Sequence, residues 1–88
     1  MKVKNGFIVR EVAGSQIVIA VGERAKEFSG IIRLNETGLF LWNCLSEETN
    51  VEKMVEALTS EYEVGKDEAQ RDIGIFVKTL EDAGILEK

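Results

Sequence analysis

Apolar and polar positions divide the chain near residue 34. Upstream, Gly6 to Val12 (Gly-Phe-Ile-Val-Arg-Glu-Val) and Gln16 to Gly22 (Gln-Ile-Val-Ile-Ala-Val-Gly) are runs of β-formers. Ala13-Gly14-Ser15 joins them, a pattern that predicts a β-hairpin. In the first strand Phe7 and Val9 share one face, and Ile8, Arg10 and Val12 the other. In the second, Ile17, Ile19 and Val21 alternate with Val18 and Ala20. Both faces are largely apolar, and Ile17, Ile19 and Val21 are expected to point inward. Glu23 to Ser29 reads as a polar connection with room for one helical turn. Gly30 to Leu34 reads as a third strand, with Ile32 and Leu34 on one face and Ile31 and Arg33 on the other.

Downstream the period changes from two to 3.6. Asn35 is a suitable N-cap, and Glu36 in the first turn complements the helix dipole. Gly38 costs roughly 1 kcal/mol against Ala inside a helix, and a close approach to the sheet would offset that. Leu39 to Trp42 with Cys44 and Leu45 is apolar almost all round, which predicts a helix buried on most sides. Thr49 or Asn50 caps the next helix, Thr49 and Glu52 making a capping-box pattern. Val51, Met54, Val55 and Leu58 form its buried stripe. The last helix is expected from about Asp67 to Ala83, with Ala69, Ile73, Phe76, Val77 and Leu80 inward. Gly84 suits the position just past its end, and Ile85-Leu86 fold back as an apolar latch. Ile75 falls outside the stripe, among Glu68, Arg71 and Asp82, and Gly74 leaves a small gap beside it. The expected fold is α+β: a three-stranded antiparallel sheet followed by a three-helix bundle, in a single domain spanning residues 1–88.

Composition narrows the chemistry. With 44% hydrophobic and 31% charged residues the chain is globular. It has no histidine, no proline and one cysteine, Cys44. A Cys/His zinc site, a histidine acid–base pair and an internal disulfide are therefore excluded. Glu47-Glu48, Glu61/Glu63 and Glu81-Asp82 lack the spacing of metal ligands or catalytic pairs and read as solvated faces. Cys44 lacks a basic neighbour and reads as a small buried side chain. Trp42 and Phe40, set among leucines, read as core, and no phosphate-binding glycine loop occurs. No enzyme activity, cofactor or metal is expected. No apolar run reaches the roughly 20 residues that span a bilayer. Met1 to Asn5 is not followed by a signal-peptide core, so a cytoplasmic location is expected.

Charge is unevenly placed. Residues 1–33 carry six Lys/Arg and three acids, whereas residues 34–88 carry five Lys/Arg and thirteen acids. An acidic helical half opposes binding to phosphate backbones. The third strand and the last helix then stand out. A free strand edge can capture an extended peptide through its backbone, and neighbouring side chains can select the sequence. Arg33, if turned to such a groove, could pair with an acidic peptide side chain.

Several segments resemble the PqqD family. They are Leu34-Asn35-Glu36-Thr37-Gly38 followed by Trp42 and Leu45, Val51 to Leu58, Leu80 to Leu86, and Arg10-Glu11-Val12-Ala13-Gly14. The resemblance covers nearly the whole chain and implies a winged-helix-like fold. It also implies a recognition element for ribosomally made, post-translationally modified peptides. In that family the precursor's leader adds as a strand and is presented to a modifying enzyme, often a radical S-adenosylmethionine enzyme; pyrroloquinoline quinone synthesis is one such pathway. Transferred to this chain, the implied groove comprises Gly30, Ile31, Ile32, Arg33 and Leu34 with Asp72, Ile75, Phe76 and Thr79. The loop Ser46-Glu47-Glu48-Thr49-Asn50 departs from the family's glycine-containing loop. Two other readings use the same outline: a DNA-binding winged helix, and a homo-oligomeric module that pairs through its edge strand. Residues 66–83 hold three basic and five acidic side chains, which opposes the first of these.

Overall fold

The computed structural model describes residues 1–27 and 30–87. In chain order its elements are β1 (Lys2–Val3), β2 (Phe7–Val12), β3 (Ser15–Ala20), α1 (Arg24–Glu27), β4 (Ile32–Leu34), α2 (Glu36–Cys44), α3 (Val51–Glu61), α4 (Lys66–Asp82) and β5 (Leu86–Glu87). The α+β outline expected from the sequence is present: a three-stranded antiparallel sheet, ordered β2-β3-β4, precedes three packed helices. The polar connection expected over residues 23–29 contains the one-turn helix α1, and its last two residues lie outside the described set.

The hairpin turn has two residues rather than three. Ala13 and Gly14 both have positive φ, +52° and +81°, and Val12 pairs directly with Ser15. Such a turn matches the right-handed twist of the flanking strands. It also sets which residues of β3 face the core. Val18 is fully buried, opposite Val9 on one side and Ile32 on the other. Ile17 and Ile19 are only half-buried and Val21 is exposed, so the inward assignment of Ile17, Ile19 and Val21 is reversed. Apolarity on both faces had hidden the phase. Turn geometry, not hydrophobicity, decides it.

Residues 2–3 form an element that the hydrophobic pattern did not signal. β1 pairs with β5, Val3 opposite Leu86, in a separate two-stranded ribbon. The Val3 amide donates to the Leu45 carbonyl at 2.9 Å and the Lys4 amide to the Ile85 carbonyl at 2.8 Å. The expected latch is therefore a strand. It is launched by a Schellman arrangement in which Gly84, at φ +75°, donates to Glu81 and Ile85 donates to Leu80.

The core is one cluster in which Phe7, Val18 and Leu34 of the sheet meet Leu41, Trp42, Leu45, Met54, Leu58, Ile73 and Leu80 of the helices. Trp42 belongs to it, as do Met54, Val55 and Leu58 of the predicted α3 stripe and Ala69, Ile73, Val77 and Leu80 of the α4 stripe; Val51, in the first turn of α3, is exposed instead, and Phe76 stays half-buried at the margin. Phe40 packs edge-on to Tyr62, with ring centroids 5.6 Å apart. Among the described residues no helix is long and apolar enough to cross a membrane.

The two candidate caps of α3 are resolved. Asn50 Oδ1 accepts from the Lys53 amide at 2.9 Å, while the Thr49 amide donates to the Met1 carbonyl. We predict that Asn50→Ala costs about 1 kcal/mol in urea unfolding, and that Thr49→Ala costs less than about 0.5 kcal/mol. Equal costs would contradict this capping assignment.

Candidate functional site

The site begins with the phase of the β-ladder. In a two-residue hairpin the flanking pair, Val12 and Ser15, exchanges both backbone hydrogen bonds, and every second pair repeats this. The same parity reappears where the Val21 amide donates to the Gly6 carbonyl at 2.8 Å. Ile17 therefore bonds across to Arg10 of β2, leaving Gln16 and Val18 to bond to β4. Their partners are Leu34 and Ile32. Arg33, opposite Ile17, must then direct its own N–H and C=O away from the sheet. β4 is an edge strand, and among the described residues no backbone partner meets Arg33 from the open side.

The chain turns immediately from this edge into α2. Asn35 Oδ1 accepts from the Gly38 amide at 2.7 Å and from the Thr37 hydroxyl at 3.1 Å. The anomalous glycine has its reason here. A Cβ on Gly38 would lie 3.0 Å from Asn35 Oδ1 and 3.6 Å from the Leu34 side chain, so the first turn of α2 sits tightly against β4.

Below that edge runs α4, and a groove of about 580 Å³ lies between them. The structure brings Ile32, Arg33, Leu34, Asp72, Ile75, Phe76 and Thr79 together along it. Gly30 and Ile31 precede the strand and do not line the groove. The strand is thus two residues shorter at its start than the pattern suggested. Asn35, Thr37, Gly38 and Leu41 line the groove as well, and the sequence reading missed them. A signal was available: a cap one residue after a strand forces the first helical turn beside that strand.

The groove is mainly apolar with few fixed polar groups. Ile75 is 62% exposed, and Phe76 is half-buried below it. Thr79 spends its hydroxyl within α4, donating to the Ile75 carbonyl at 2.9 Å. Nothing lies within 4 Å of a Cβ placed on Gly74, so that position faces open space. No group of acids and cysteine suited to a metal occurs among the described residues. Burial pushes the Cys44 thiol above its usual range, opposite to what a nucleophilic thiolate needs.

Comparison with known proteins adds family and fold. The family model described as coenzyme PQQ synthesis protein D (PqqD) matches residues 15–86. Two solved structures share the fold. One is described as TbiB1 in complex with the TbiA(beta) leader peptide: TM-score 0.78, 22% identity, covering 99% of this chain and 95% of that one. The other is lasso peptide synthetase B1 complexed with the leader peptide: TM-score 0.74, 23% identity, covering 99% and 96%. No curated protein matches by sequence.

Ile75 and its neighbour Ile73 separate site from scaffold. Ile73 is fully buried, so Ile73→Ala is predicted to cost about 2–5 kcal/mol in thermal or urea unfolding. Ile75→Ala is predicted to change stability by less than about 0.5 kcal/mol. A large loss on Ile75→Ala would make that side chain structural.

Proposed function

The chain belongs to the PqqD family, and on that premise we propose that it is a non-catalytic peptide chaperone. It captures the leader segment of a ribosomally made precursor peptide as an added strand on β4. It then presents the peptide to a modifying enzyme, of the radical S-adenosylmethionine type. The observation that carries this reading is the outward-facing backbone of Arg33 above an apolar groove. The two similar structures are described as leader-peptide complexes, which supports the same use of the fold.

Magnitudes divide the work between backbone and side chains. A pair of backbone hydrogen bonds at Arg33 contributes roughly 1–3 kcal/mol net. A 1 mM complex already needs about 4 kcal/mol. Side chains must therefore supply the remainder, and a growing share of any tighter binding. Covering an exposed Ile75 and filling the groove against Phe76 and Leu41 is the available source, at roughly 1.5–3 kcal/mol per large apolar group buried. Backbone pairing fixes where the peptide lies, and the groove selects which peptide stays.

The phase of the edge gives a specific test. Proline is tolerated on an edge strand where its missing N–H would have faced solvent. Arg33→Pro deletes the outward donor and spares the Ile32 and Leu34 bonds to β3. In a two-dimensional NMR titration with leader peptides encoded beside the gene, amide shifts are expected in residues 31–34 and 72–79. Arg33→Pro is expected to keep the fold and weaken this binding by roughly tenfold or more, from the lost donor and the peptide acceptor left unpaired, whereas Arg33→Ala, which keeps the amide and loses only the guanidinium, weakens it by no more than about fivefold. Shifts confined to other segments, or undiminished binding by the folded Arg33→Pro protein, would refute the groove.

A further inference from the structure

The ladder phase also determines which side of the sheet each residue of a captured strand occupies. On the outer face Ile8 lies opposite Ile19, Arg10 opposite Ile17, Ile17 opposite Arg33, and Val12 opposite Ser15. Two guanidinium groups, Arg10 and Arg33, thus flank Ile17, and none of these outer positions carries a carboxylate. Arg33 is exposed, and among the described residues its side chain has no ion-pair partner. Glu11, the one acid on these strands, belongs to the opposite face and accepts from Gln16 Nε2 at 3.1 Å.

An added strand continues the alternation of the sheet. The peptide residue directly across from Arg33 must place its side chain on the outer face, with Cβ atoms about 4.5–5.5 Å apart. Its two neighbours must then turn to the inner face, into the groove beside Ile75, Phe76 and Leu41. This phase holds whether the peptide runs parallel or antiparallel to β4. Resting on the proposed function, we infer that the chain selects an apolar–acidic–apolar triplet. The central carboxylate pairs with Arg33 on the outer face, and the two flanking large apolar side chains fill the groove. Arg33 is thus a specificity-determining residue that acts from outside the groove its backbone borders.

The test uses Gly/Ser-rich synthetic peptides centred on Leu-X-Leu, with X glutamate, glutamine or lysine, titrated into the isotope-labelled chain. Glutamate is expected to bind roughly two- to fivefold tighter than glutamine, from the usual strength of an opposite-charge cross-strand pair. Lysine is expected to bind more weakly than glutamine. Arg33→Glu should reverse the order of the glutamate and lysine peptides. Arg10→Glu, two strands further away, should not reverse it. A peptide with serines in place of the leucines should lose binding whatever its centre.

The outcomes separate the two levels of the account. Equal binding of the three central residues, with shifts still at residues 31–34, overturns the acidic preference and leaves peptide capture standing. Equal effects of Arg33→Glu and Arg10→Glu trace the preference to overall charge and overturn the pairing. If the wild-type chain shows no shifts at residues 31–34 with any of these peptides or with the encoded leader peptides, both levels fall.

Discussion

The two-residue turn at Ala13 and Gly14 governs how the sheet can be used. Positive φ at both residues commits Val12 and Ser15 to a hydrogen-bonded pair, and every later rung of the sheet inherits that parity. Ala13 accepts a left-handed conformation that glycine would adopt more readily. A slip of one residue would turn Val18 toward solvent and bring Ile17 and Ile19 to the core. It would also tie the Arg33 backbone to β3 and present Ile32 and Leu34 at the edge instead. The open rung lies where it does because of the turn that joins the other two strands.

The helices convert that edge into a groove. Asn35 caps α2 one residue after β4 ends, so the helix starts against the strand, and Gly38 permits the close approach. α4 is held in place by buried Ala69, Ile73, Val77 and Leu80, which leaves Ile75 on the other side free of structural duty. The ribbon of β1 and β5 ties the chain ends to α2 and locks the end of α4. One helix therefore carries two faces with separate roles, a packed stripe and an exposed margin along the groove.

Much of this was legible in the sequence because each element is locally consistent. The hairpin, the Asn35 cap, the stripes of α3 and α4 apart from Val51 and Phe76, and the Gly84 terminus all follow from residue preferences that agree with the final packing. What was not legible depended on distant partners. The inward face of β3 was misassigned because Ile17, Val18 and Ile19 are equally apolar, and only turn parity separates them. β1 and β5 are two residues each, too short for periodicity, and exist because each supplies the other's hydrogen bonds. Thr49 and Asn50 are equivalent as caps in the sequence, and the bond from the Lys53 amide to Asn50 Oδ1 separates them. The groove residues of β4 and α4 could be named, whereas those of the first turn of α2 required recognising that the cap leaves no spacer.

Hydrogen exchange at the Arg33 amide tests the central claim most directly. In the free chain that amide is predicted to exchange rapidly while the Ile32 and Leu34 amides on either side are protected by β3. Saturation with a bound leader peptide is predicted to slow exchange at Arg33 and leave its neighbours unchanged. An Arg33 amide already protected in the free monomer, or one that stays fast when the peptide is bound, would contradict the account.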